Sequence, residues 1–511
     1  MKIITFASIY LGSYELSMKI FEISQKNGVK TIDHIRTRIE LGKEIYRSKK
    51  IGSVMLDKIV EVLLKYQEIC NSYKSDSVSM YVGPSVKNAK NEVFAINQMR
   101  MATGFDIKIL SNSEHRFLGY KAVAFHPEFE RLISEGAAFI DVGGGSVQIT
   151  LFEDGQVITT QQLVIGTMRM REQLKSIRNE VSFYQNQVEE IINKDLFVFE
   201  SLYLKNSKIK HLVFIGDYIT ELLRMINKNY PEMTVSRERF IKALKKFYKS
   251  TTQQIASEMN LSDDRDELLI PYIVLYRRLA EDMQAENIWS IGRSIIEGVA
   301  YQYAQEEKII RSSHDFNQDI RSASYNIAKR YQSFSPHIET LIEMAGLLFE
   351  ALKKQHGMDK RDGLLLEVAA ILHDCGKYIS FANAPECSFD IIMQSEILGL
   401  SHLERQIVAY TVLYNTYLPD GYIGEVAGRM DMDSYLKVCK LAAILRISNA
   451  LDRSHRQKFK NVKVRIKEKN LIISVETTNE MILEKALFDV KAEFFEDVFG
   501  IYPKILERRT I

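Results

Sequence analysis

Two short stretches of this chain combine small residues with flanking apolar runs in a way suited to phosphate. One runs Phe139-Ile140-Asp141-Val142-Gly143-Gly144-Gly145-Ser146-Val147-Gln148-Ile149-Thr150-Leu151-Phe152-Glu153. A fainter copy runs Ala7-Ser8-Ile9-Tyr10-Leu11-Gly12-Ser13-Tyr14-Glu15-Leu16-Ser17-Met18-Lys19-Ile20-Phe21-Glu22, and the two align without a gap, Gly12 on Gly143. Each is an apolar β-rich run, a turn of small residues, then an alternating strand. With no Cβ in the way, a glycine turn lets backbone N–H groups approach an anion. Two such turns can grip opposite ends of a phosphate chain. Gly12, Ser13, Gly143, Gly144, Gly145 and Ser146 are therefore the phosphate-binding candidates, although a run of glycines also describes a plain hairpin turn.

The elements that must position these turns fall into four zones. Residues 1–125 mix strands (Lys2–Ile9, Ser17–Ile23) with helices (Ser53–Ser72, Ala89–Thr103). Residues 126–306 open with the Asp141 hairpin and add a short apolar strand with a glycine, His211–Asp217. They end in a turn at Trp289-Ser290-Ile291-Gly292-Arg293 and the helix Ile295–Glu306. The polar stretch Glu307–Ser324 reads as a linker. From there to about 457 apolar residues recur at helical spacing, as in His337, Leu341, Ile342, Met344, Ala345 and Leu348. Residues 458–511 change period: Val462–Ile466 and Leu471–Val475 alternate as strands, followed by a helix, Glu484–Phe499, and a last strand.

Composition narrows the classes. A chain of 511 residues divides into about three or four domains. With 46% hydrophobic and 26% charged residues and a net charge of +2, nothing global argues for nucleic acid or a membrane surface. The four cysteines (Cys70, Cys375, Cys387, Cys439) form no C-x-x-C pair, which suits a reducing compartment. No apolar run approaches the ~18 residues of a membrane span, and the start lacks the features of a secretory leader. The expectation is a cytoplasmic protein.

The order of motifs resembles the exopolyphosphatase / guanosine pentaphosphate phosphohydrolase (Ppx/GppA) family, within the actin-like ATPase folds. That family's first phosphate loop corresponds to Tyr10-Leu11-Gly12-Ser13-Tyr14-Glu15. Its next segments resemble Gly83-Pro84-Ser85-Val86-Lys87-Asn88-Ala89-Lys90-Asn91 and Ser111-Asn112-Ser113-Glu114-His115. Its second loop matches Asp141–Ser146, and Ile165-Gly166-Thr167-Met168-Arg169 also fits. The resemblance implies an α+β protein of two actin-like, ribonuclease H-like lobes, then a helical domain and a small α/β tail. It implies release of terminal orthophosphate from inorganic polyphosphate or guanosine pentaphosphate, with Mg2+ offsetting phosphate charge. On this reading Glu114 positions or deprotonates the attacking water, Asp141 holds the magnesium, and Lys87 neutralises phosphate where the family has arginine.

The departures carry a second hypothesis. Tyr10 stands where the family has a cleft aspartate, His115 where a further acid is usual, and Gln148 where it has a glutamate. A phenol is not an anionic ligand at neutral pH, and an amide binds a water without taking its proton. Gln148 stays among the catalytic candidates. The alternative to a hydrolase is a polyphosphate or nucleotide sensor on the same fold.

The second half carries Ala369-Ala370-Ile371-Leu372-His373-Asp374-Cys375-Gly376-Lys377, which resembles the HD phosphohydrolase superfamily, with His337 upstream. The resemblance implies a partial second divalent-metal site at His337, His373 and Asp374, and an HD-type hydrolase as a third hypothesis. Cys387, Asn415 and Asn449 replace residues of the pattern, and Asp452 lies three residues beyond Asn449 near the same helical face. His402 and His455 read as surface residues. Arg446, Arg453, His455, Arg456, Lys458, Lys460, Lys463 and Arg465 form a basic run, either a lane for an anionic polymer or a solvated edge. The family also implies a homodimer; no motif supports specific nucleic-acid binding.

Overall fold

The computed structural model describes residues 3–174, 181–205, 207–227, 233–247, 266–418 and 430–509. The chain forms two compact units, Met1–Phe316 and Asn317–Ile511.

In the first unit β1 (Ile4–Leu11), β2 (Glu15–Ser24), β3 (Gly28–Arg38), β4 (Ser77–Val82) and β5 (Ile107–Ile109) form one sheet, in the order β3-β2-β1-β4-β5. A second sheet contains β6 (Ala137–Val142), β7 (Val147–Glu153), β8 (Gln156–Leu163), β9 (His211–Ile215), β10 (Thr234–Ser236) and β11 (Asn287–Ser290), in the order β10-β11-β9-β6-β7-β8. The first three strands of each sheet are antiparallel, and the next strand runs parallel to the first. The path β3-β2-β1-β4-β5 therefore repeats as β8-β7-β6-β9-β11. This is the duplication that the two glycine hairpins announce, and the α+β expectation holds.

Burial follows from the sequence pattern. The helix Ser53–Ser72 turns Leu56, Ile59, Leu63, Tyr66 and Cys70 inward, at three- and four-residue spacing. The strand β9 is buried at all five positions, as a central parallel strand must be. The helix Ile295–Glu306 packs with Ile4, Phe6, Phe21, Ile23 and Leu118 of the first sheet's layer through Ile295, Ile296, Val299 and Ala300. The expected linker Glu307–Ser324 is corrected: from Phe316 it is the helix Phe316–Arg330, which buries Ile320, Ala323, Ile327 and Ala328. Small and polar residues (Asp319, Ser322, Ser324) share that buried face and mask its periodicity.

The second unit is mainly helical. It contains the helices Ser335–Ala351, Lys360–Leu372, Ala384–Gln394, His402–Tyr414 and Met432–Leu451, and a sheet of β12 (Lys460–Lys467), β13 (Asn470–Thr477) and β14 (Tyr502–Arg509). The strand β13 alternates buried and half-buried residues, the pattern of a sheet with one covered face. No described helix is long and apolar enough to cross a membrane.

Candidate functional site

The two glycine turns close with the same backbone bond. Gly12 N–H donates to Glu15 O at 2.9 Å, and Gly143 N–H donates to Ser146 O at 3.0 Å. The turns also face one another: a Cβ on Gly144 would stand 3.1 Å from Ser13 Cβ and 3.3 Å from Met168 Cγ. A side chain there would be tight, so a bare backbone suits that separation. Gly166, in the Ile165–Arg169 segment, lies against the backbone of Gly144 and Gly145, and Arg169 Nε donates to Gly145 O at 3.1 Å. Ser13 Oγ lies 2.9 Å from Ser85 Oγ, so the Gly83–Asn91 segment reaches the first turn through its serine.

At the floor between the turns, β6 and β7 pair Asp141 with Gln148. Directly opposed residues of an antiparallel pair share a face, so the carboxylate and the amide lie side by side. His115 Nδ1 lies 3.8 Å from Asp141 Oδ2, and the Tyr10 and His115 rings are 5.7 Å apart. The residues standing at the expected carboxylate positions, Tyr10, His115 and Gln148, are thus gathered around Asp141. Desolvation raises the Asp141 carboxyl to about 6. Burial, with the Arg116 charge, lowers His115 to about 4, and the neighbouring Gln148 amide works against this. The imidazole is neutral at pH 7. Burial, then Asp141 and Tyr46, push the Tyr10 phenol far up, so it too is neutral and can donate a hydrogen bond.

The donor set can be tested against magnesium. Gln148 Oε1 is buried without a protein partner, beside the Asp141 carboxylate. Two hard oxygen donors on one face fit Mg2+, which otherwise keeps several waters and substrate oxygens.

Glu114 sits at the start of the helix Asn112–Ala124, in a capping box with Ser111. One of its carboxylate oxygens accepts from Ser111 N–H at 2.7 Å, and the side chain is exposed. It precedes His115 on this helix, and the capping box holds its carboxylate against the Ser111 backbone. Lys87 is exposed at the end of the turn Pro84–Asn88. Asn91 clips both the N–H and the C=O of Ile51, a structural task. Ser146 Oγ accepts from Gln162 Nε2 at 3.0 Å.

Sequence reasoning missed Tyr46. From the helix Leu41–Ser48 its hydroxyl lies 3.2 Å from Ser13 Oγ, against Gly145, and Arg169 stacks over its ring at 4.9 Å. No motif marks it; an amphipathic helix brings it to the turns.

In the second unit His337, Asp374 and His455 each place a donor atom within 4.8 Å of the others. His373 adjoins them, its Nε2 3.4 Å from Asp374 Oδ2. Asp452 does meet this group: its Oδ2 accepts from His337 Nδ1 at 2.8 Å. Two expectations are corrected here. His455 is no surface residue, since its ring stacks on His337 at 3.7 Å. Arg446 is not part of a basic lane: it is buried and donates to the carbonyls of Tyr414 and Tyr417. Lys458 is likewise paired with Glu484 at 2.9 Å. Burial opposes ionisation of Asp374, but His373 and Lys377 hold its carboxyl far below the usual range.

The Ppx/GppA phosphatase family matches residues 20–307, and Ppx/GppA phosphatase domain III matches residues 320–493. A guanosine-5'-triphosphate,3'-diphosphate pyrophosphatase of Aeromonas hydrophila is 20% identical over 463 residues, which is 87% of this chain and 86% of that protein. A bifunctional 3-dehydroquinate synthase/phosphatase of Fusobacterium nucleatum is 22% identical over 172 residues, 32% of this chain; the match spans only 26% of that protein. Among solved structures, an exopolyphosphatase from Cytophaga hutchinsonii superposes with a TM-score of 0.52 at 16% identity, covering 60% of this chain and 99% of that one. With its family match extending over more than half of its length, the chain belongs to the Ppx/GppA phosphatase family.

Proposed function

We propose that the chain is a phosphohydrolase releasing terminal orthophosphate from inorganic polyphosphate or guanosine pentaphosphate. The observation that carries this reading is the facing pair of glycine turns, closed by the same hairpin bond and near enough that Gly144 and Ser13 almost touch. The N–H groups of Gly143–Gly145 and Gly12–Ser13 bind the terminal phosphoryl oxygens, and Ser13, Ser85 and Tyr46 offer hydroxyls beside them. Glu114, held by its capping box, orients the attacking water and accepts its proton. The neutral Tyr10 and His115 donate to phosphate oxygens and exclude water from the floor. Asp141 and Gln148 would hold Mg2+, which when bound supplies charge neutralisation to the phosphate chain.

One observation favours a second reading, a binding protein that senses the same ligand. Asp141 is the one carboxylate among the floor residues Tyr10, His115, Asp141 and Gln148, so the site holds little negative charge to retain a metal. Orthophosphate release by the purified chain with Mg2+ separates the two, measured on long-chain polyphosphate and on guanosine pentaphosphate. The hydrolase reading expects release that Asp141→Ala and Glu114→Ala each reduce by about 10²-fold or more. Tight polyphosphate binding without release would establish the sensor. Unaltered release in both variants would move the chemistry out of the cleft.

A further inference from the structure

Once Arg446 and Lys458 are taken out of the basic run, part of the remainder lies on one face of the small sheet in the second unit. Lys463, Arg465 and Lys467 of β12 stand opposite Ser474, Ile472 and Asn470 of β13, and these stand beside Leu506, Lys504 and Tyr502 of β14. Residues paired in this way share a face, and burial agrees. The four cations and Leu506 are exposed, and the others are half-buried, whereas the alternate residues Leu471, Ile473 and Val475 are buried. The acid of β14 is spent on the covered side, where Glu507 pairs with Lys485 of the helix Ile482–Phe499 at 2.6 Å. Glu476, at one end of the open face, accepts from Asn461 Nδ2 at 2.7 Å. Among the described residues Lys463, Arg465, Lys467 and Lys504 make no ion pair.

We propose that this open sheet face binds single-stranded nucleic acid without sequence preference. Alternate side chains of a strand stand about 6.7 Å apart, so β12 presents a column of three cations along one edge and Lys504 answers it from the other. Between them runs the uncharged strip Asn470, Ile472 and Ser474. Charged edges discourage stray strand pairing whatever their sign; here all four charges have the same sign, which edge protection does not require. The cations meet backbone phosphates. Tyr502, with Lys504 Nζ 5.8 Å from its ring centre, offers a ring on which a base stacks, and Ile472 and Leu506 add apolar contact. Polyphosphate is charged at every link and carries no ring, so it would use the cations and leave the strip idle. The net charge of +2 conceals this face, because charge elsewhere in the chain balances it. Binding by backbone charge and stacking needs no recognition motif, which is why the sequence shows none.

The test is fluorescence anisotropy of a labelled, mixed-sequence single-stranded oligonucleotide of about ten nucleotides, titrated with the full-length chain at about 50 to 200 mM salt. Saturable binding is expected, with log affinity falling against log salt at a slope of about −2 to −3, as three or four phosphate contacts require. The triple variant Lys463→Gln, Arg465→Gln, Lys467→Gln is expected to bind at least about tenfold more weakly, with the slope flattened to about −1 or less. Tyr502→Leu is expected to weaken binding about fivefold or more, and Tyr502→Phe to preserve it. Absence of saturable binding by the unmodified chain overturns the proposal. So does an affinity unaltered in the triple variant, which would place the oligonucleotide elsewhere on the chain. An affinity unaltered in Tyr502→Leu overturns it too, reducing the face to a charged lane for any polyanion, polyphosphate included. The triple variant changes exposed side chains only, so it stays informative if Tyr502→Leu does not fold.

Discussion

Asp141 carries a conflict between binding and folding. Its carboxyl, raised to about 6 by desolvation, prefers to be protonated in the fold, whereas a metal needs it ionised. The folded value lies above the unfolded one, so the penalty is absent at low pH and grows as pH rises through about 4 to 6. Asp141→Asn is therefore expected to stabilise the metal-free chain by on the order of 2–3 kcal/mol at pH 8. Near pH 4 the gain should have nearly vanished. Urea unfolding at the two pH values reads this directly. The same variant should lose phosphate release, separating function from stability at one side chain. Gln148, its cross-strand neighbour, gives the converse experiment. Gln148→Glu adds an anion beside Asp141, and about a tenfold rise in release at saturating Mg2+ is expected, equivalent to about 1.4 kcal/mol of barrier.

At the scale of elements the glycine turns set the precision of the site. Gly144→Ala inserts a Cβ that would stand 3.1 Å from Ser13 Cβ, so the turns must part by a few tenths of an ångström. Phosphate release is expected to fall at least about tenfold while the thermal midpoint stays near that of the unmodified chain; an unaltered rate would mean that the turns do not act together. Ser111 is the other lever. Its hydroxyl caps the helix Asn112–Ala124 through Glu114 N–H, and Ser111→Ala should cost about 1 kcal/mol in denaturant unfolding. Much of this was legible in the chain: the duplicated hairpins, the helix Ser53–Ser72 to the residue, and the alternation of β13 follow from local pattern. Tyr46 and the placement of His455 were not. Each depends on which elements pack together, and one helical face or one loop residue carries no mark of its neighbour. Arg446 shows the same limit in reverse, since a basic run in sequence says nothing of a side chain turned inward onto two carbonyls.

On the scale of the whole first unit, charges tie the two sheet layers behind the site. Arg171 Nη1 meets Glu40 at 2.8 Å with its side chain 3% exposed, and Lys19 meets Glu297 at 2.6 Å and Asp217 at 3.6 Å. A buried ion pair is costly to break from one side, because the remaining charge stays desolvated. Arg171→Met is expected to destabilise this unit by about 3 kcal/mol or more: Arg38 still pairs with Glu40 at 3.0 Å, but the buried Glu172 loses its Arg171 partner at 2.9 Å. Denaturant unfolding reads the cost. The central claim, attack of water on a terminal phosphoryl group held between the two turns, is tested most directly by 31P NMR of polyphosphate hydrolysis in 18O-water with Mg2+. The account predicts chains shortened one residue at a time and orthophosphate carrying a single 18O, with no such product from Asp141→Ala. Internal cleavage, or tight binding with no labelled orthophosphate, would contradict it.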